Sequence, residues 1–198
     1  MWLFKLFFSG DVHEDTRGEE FQQDFQQRSS ALGLGLRIDF FTRTFHELCF
    51  EARRRKKPIL IVTIQDNSDA AVRLAVETLS NDLVQAEINE SFITYGMYSN
   101  HVDPNLERNM RFPRNAVISM WVLMVKPEDQ VQITARLNNS GEEVISPQEI
   151  LNFLHENMSL FNIMSEEDPE YQRIRILQDG KNKDLTLAAG VLPIVPGG

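Results

Sequence analysis

Hydrophobic and polar positions divide the chain into short, sharply bounded segments. The most sharply bounded is Pro58-Ile59-Leu60-Ile61-Val62-Thr63-Ile64, apolar or β-branched at six of seven positions. A continuous run of that length, closed by polar clusters on both sides, predicts a strand buried on both faces. Arg53-Arg54-Arg55-Lys56-Lys57 precedes it and Gln65-Asp66-Asn67-Ser68-Asp69 follows it. Upstream, Phe45, Leu48, Cys49 and Ala52 fall at i, i+3, i+4 and i+7, which predicts a helix over 42–55 with that face buried. Thr42 or Thr44 caps it, and Glu47 stands three residues after Thr44 as a capping box requires. Downstream, Ala71, Leu74, Ala75, Leu79, Leu83 and Val84 give one apolar face to a single helix over 69–87, capped by Asn67, Ser68 or Asp69.

The alternation continues. Ile88 leads towards a strand at Phe92–Tyr98, which a right-handed crossover sets parallel to the first. Asp103-Pro104 opens a short helix over 104–111, which Phe112-Pro113 ends. Ala116–Val125 is a third strong strand, and Val131–Leu137 alternates as an edge strand does. Ser146-Pro147-Gln148-Glu149 combines a cap, a first-turn proline and an acid, and Ile150, Leu151, Phe153, Leu154 and Met158 supply the buried side of a last helix ending near Leu160.

The ends have a different character. Met1–Phe8 is intensely apolar but too short to cross a membrane, and it lacks the basic start and cleavage site of a signal peptide. Residues 9–30 are polar, with Phe21 and Phe25 at i, i+4 on a short helix. Leu32-Gly33-Leu34-Gly35-Leu36 is a connector, because no third glycine completes a dinucleotide pattern. Glu166-Glu167-Asp168-Pro169-Glu170 reads as a solvated linker. Arg173–Leu177 and Asp184–Leu187 flank Asp179-Gly180 as a hairpin would, and Gly190–Gly198 is apolar and proline-rich.

Composition narrows the function classes. At 198 residues the chain holds one domain of about 120–150 residues with extensions. A net charge of −9 argues against nucleic acid as a partner. The single cysteine, Cys49, excludes an intrachain disulfide and fits an intracellular, reducing compartment, either cytoplasmic or peripheral on an organelle membrane, with mitochondria left open. His13, His46, His101 and His155 have no metal-ligand spacing, and no Walker loop or nucleophile elbow is present, so no metal, cofactor or catalytic residue is expected.

The order helix, strand, helix, strand, short helix, proline, strand, strand, helix resembles the thioredoxin fold, a mixed sheet flanked by helices. Within that superfamily residues 38–161 look most like the UAS domain of the FAS-associated factor and UBX-protein family. The helix ending in Lys and Arg, the strand Pro58–Ile64 with its polar loop, Phe92–Tyr98 and Phe112-Pro113 carry the resemblance. Two places depart from it: the loop Asn67-Ser68-Asp69-Ala70, and Arg114-Asn115, which looks like an insertion. Active thioredoxins place a Cys-x-x-Cys pair after the central strand, whose helix N-terminus lowers a thiol pKa. Gln65–Ala70 contains no cysteine, and UAS domains likewise lack the pair.

The expected layout is therefore an N-terminal extension over 1–37, a thioredoxin-like domain over 38–161, and a linker, hairpin and apolar tail over 162–198. The resemblance implies a non-catalytic interaction or scaffold subunit of a larger assembly. The alternative is an adaptor module of the ubiquitin pathway that binds fatty acyl chains or a membrane surface. Trp2, Phe4, Phe7, Phe8, Val191, Leu192 and Ile194 are the expected partner contacts, because so many large apolar side chains at the ends exceed what a small monomer exposes. Arg53, Arg54, Arg55, Lys56 and Lys57 form a second candidate patch for an anionic ligand or a partner, although cations at a helix C-terminus also complement its dipole.

Overall fold

The structure, a computed structural model, describes residues 17–65, 68–99, 116–126, 130–139, 141 and 143–167, and residues 2–5 through their main chain. It forms two compact units, Met1–Phe161 and Asn162–Gly198. The second is described only over 162–167, which are helical.

Strand β2 (Ile59–Ile64) is buried at all six positions, as its continuous apolar run requires. It pairs in parallel with β3 (Ile93–Tyr98) and antiparallel with β4 (Ile118–Lys126). Strand β5 (Gln130–Asn138) lies antiparallel to β4, and β1 (Trp2–Lys5) lies antiparallel to β5. The sheet order is β1-β5-β4-β2-β3. Strands β3, β2, β4 and β5, one parallel pair followed by two antiparallel neighbours with helices on both faces, are a thioredoxin-like fold, as the order of elements in the sequence implies.

Strand alternation sorts the core into two layers. Leu60, Val62, Ile64, Ile118, Met120 and Val122 join the cluster that contains α1 (Arg17–Ala31), α3 (Asp69–Leu79), α4 (Asp82–Ser91) and α5 (Pro147–Glu167). Ile59, Ile61, Trp121, Leu123 and Val125 join the cluster that contains α2 (Phe45–Arg55). A bulge on β5 opposite Val122 and Leu123 inserts Thr134, whose hydroxyl donates to the Val122 carbonyl at 3.1 Å. One extra residue reverses the faces of a strand. Val131 and Ile133 accordingly pack with α2, and Leu137 packs on the other side.

Four elements differ from the sequence expectation. The last helix, expected to end near Leu160, runs on to Glu167 and takes in Glu166 and Glu167, which were expected in a linker. The single helix expected over 69–87 is two helices. Asn81 caps the second by accepting from the N–H groups of Leu83 (3.0 Å) and Val84 (3.2 Å), which turns Leu83 out to 68% exposure. Strand β5 is not an edge over its first half, because Trp2–Lys5 pairs with Gln130–Ile133. Helix α1, expected in an extension, is part of the core. Phe21 stacks on Phe25 at 5.2 Å and meets Phe40 and Tyr98 at 5.3 and 5.0 Å. The Phe21 ring occupies the space where a side chain on Gly96 would begin. The short helix over 104–111, Phe112-Pro113 and the hairpin over 173–187 lie outside the described residues.

Candidate functional site

The polar loop singled out in the sequence joins β2 to α3. Ser68 is the N-cap of α3, and its hydroxyl oxygen accepts from Ala71 N–H at 3.3 Å. Asp69 follows in the first turn, where a carboxylate complements the helix dipole. Asp66 and Asn67 lie outside the described residues. Gln65 is fixed from both sides: its N–H donates to the Val117 carbonyl at 2.8 Å and its carbonyl accepts from the Ser99 hydroxyl.

Helix α1 reaches the first turn of α3. Arg28 on α1 donates to Asp69 Oδ1 at 2.8 Å and, through Nε, to Asp24 Oδ1 at 2.8 Å. Asp24 Oδ2 accepts from the Tyr98 hydroxyl at 2.5 Å. Burial, then the hydrogen bond to Asp24, push the Tyr98 phenol well above its ordinary range, so it stays a donor. The bond to Asp24 also raises the Arg28 guanidinium. The four side chains tie α1 to the last residue of β3 and the first of α3. This arrangement holds elements together and contains no nucleophile poised beside a base. Sequence reasoning missed it: the i, i+4 spacing of Asp24 and Arg28 was visible, but nothing local pointed to Tyr98 or Asp69.

Behind the loop, on the α2 face of the sheet, Thr63, Ser119 and Asn138 pair directly across β2, β4 and β5. Among the described residues the buried Thr63 Oγ1 and Asn138 Oδ1 have no hydrogen-bond partner. The next row pairs Trp121 with Arg136, whose guanidinium lies 5.1 Å from the indole centre. Cys49 is buried in α2, on the sheet face opposite α3.

The fold is thioredoxin-like; no protein-family model matches this chain. No curated protein matches it either. Among solved structures it is similar to a thioredoxin from Thermus thermophilus, with a TM-score of 0.48, 15% sequence identity, and coverage of 60% of this chain and 85% of that one.

The other candidate residues are spread apart. Trp2 and Phe4 lie on β1, whose main chain pairs with Ile133 and Val131 of this chain's own sheet. Phe7, Phe8, Val191, Leu192 and Ile194 lie outside the described residues. The basic run ends α2. Lys56 is the left-handed C-cap, with φ 52°, and its N–H donates to the carbonyls of Ala52 and Arg53. Arg54 and Arg55 both donate to Glu51, and Lys57 Nζ donates to the Glu90 carbonyl. His155 Nε2 is 3.3 Å from Glu87 Oε2, which links α5 to α4. Among the described residues no group of His, Cys, Asp or Glu is placed to hold a metal ion, and no helix is long and apolar enough to cross a membrane.

Proposed function

We propose that this protein is a non-catalytic interaction subunit of a larger assembly, built on a thioredoxin-like domain of UAS type that has lost the redox pair. The observation that carries this reading is at the β2–α3 junction. Where a redox thiol would sit, the chain has Ser68 and Asp69, and Arg28 from α1 lies against Asp69. The order of strands and helices suits a UAS-type domain, and the wholly cysteine-free loop Gln65–Ala70 suits a member without thiol chemistry. The apolar ends, 1–8 and 188–198, supply side chains for neighbouring subunits, with β1 held on the sheet through its main chain.

A tagged chain isolated from its own cells tests this. It should bring down other subunits in fixed stoichiometry. A chain lacking 188–198 should keep its melting transition and lose those subunits. Isolation of the intact chain alone, or insulin reduction that Cys49→Ser abolishes, overturns the reading.

A further inference from the structure

Helix α2 buries Phe45, Leu48, Cys49 and Ala52 and turns a different set outward. His46, Phe50 and Arg54 follow one another at i, i+4 and i+8, so they form one outer stripe. Phe50 is 66% exposed and is the one large hydrophobic side chain so exposed on α2. A single exposed apolar residue is ordinary in itself; the charge around this one is not. Arg54 and Arg55 share one carboxylate, Glu51, at 2.5 Å each. Two arginines thus share one carboxylate at the end of the helix that carries the exposed aromatic ring, in a chain whose net charge is −9.

Resting on the interaction-subunit reading above, we propose that the outer face of α2 docks an acidic segment of a partner protein, one that lays a large apolar side chain on Phe50 and sets carboxylates on Arg54 and Arg55. Guanidinium groups bind carboxylates through paired N–H donors, and aromatic and Arg side chains dominate the energetics of protein interfaces. Charge complementarity selects an acidic partner. A bilayer fits the same face poorly, because interfacial binding needs a broad apolar face and α2 offers one ring.

The test titrates the full chain into a short fluorescent Glu/Asp-rich peptide carrying one central Leu, read by anisotropy. Binding should be saturable and should weaken with added salt. It should also weaken about tenfold or more in Phe50→Ala and, separately, in the double variant Arg54→Ala/Arg55→Ala. Both sites are on the surface, and circular dichroism checks that the variants fold. Several results overturn the proposal: no binding at low salt, equal binding of the Gln counterpart of the peptide, binding unchanged in the variants, capture by phosphatidylserine vesicles in place of the peptide, or a dimer of this chain that Phe50→Ala abolishes. Subunits that still co-isolate with the Phe50→Ala chain overturn this face and leave the interaction reading standing. Peptide binding by a chain that co-isolates with nothing overturns the interaction reading alone.

Discussion

Gly96 is where two distant parts of the sequence meet. A β-carbon there would lie 1.9, 2.3 and 2.7 Å from three atoms of the Phe21 ring, so the ring and α1 would have to move. Gly96→Ala should therefore cost about 1–3 kcal/mol by overpacking. The drop should appear in the urea midpoint, with faster amide exchange in α1, and unchanged stability would contradict this packing. Glu51 gives a pH-dependent counterpart. Its hydrogen bond to Arg54 lowers the carboxyl from 4.5 to about 2. A carboxyl lowered by folding adds stability that is fully present above its unfolded pKa and is lost as pH falls through the folded value. The wild type should therefore melt above Glu51→Gln at neutral pH, with the gap closing as pH drops from 4.5 towards 2. A gap independent of pH would contradict the pairing. Local chemistry of this kind was legible in the sequence. The Thr44–Glu47 capping box forms as its spacing implies, with Glu47 N–H donating to Thr44 Oγ1 at 3.2 Å and Glu47 accepting from Thr44 N–H at 3.2 Å. The contact between Phe21 and Gly96 was not, because nothing near either residue names the other.

Among the elements, β2 is the one the others depend on. It is hydrogen-bonded on both sides, and Ile61 is fully buried between β3 and β4. Ile61→Asp would place an unpaired carboxylate there at a cost of several kcal/mol, against a total stability of about 5–15 for an ordinary domain. Loss of the cooperative melt by circular dichroism is expected, and a soluble variant with an unchanged melting temperature would contradict it. Strand β2 could be read from sequence because burial on both faces leaves a continuous apolar run. The break between α3 and α4 could not: the apolar spacing carries on through Leu83 and Val84, while Asn81 starts a new helix by accepting from both their N–H groups. Nor could the place of α1. Its composition is polar apart from Phe21 and Phe25, and both depend for burial on Phe40 and Tyr98 beyond the helix. The β5 edge was misread for a similar reason, since its cover comes from the far end of the chain.

For the whole molecule, thioredoxin-like topology places a helix N-terminus at the end of β2, and this chain ties that end to α1 through Arg28, Asp24 and Tyr98. The surfaces of the domain carry the function we propose. The most direct measurement is the native mass of the chain as isolated from its own cells. The account predicts one discrete complex of fixed stoichiometry, well above the 22.8 kDa of the chain, that is lost when 188–198 are removed while the domain stays folded. A native mass equal to that of the single chain, with no co-isolating subunit, would contradict it.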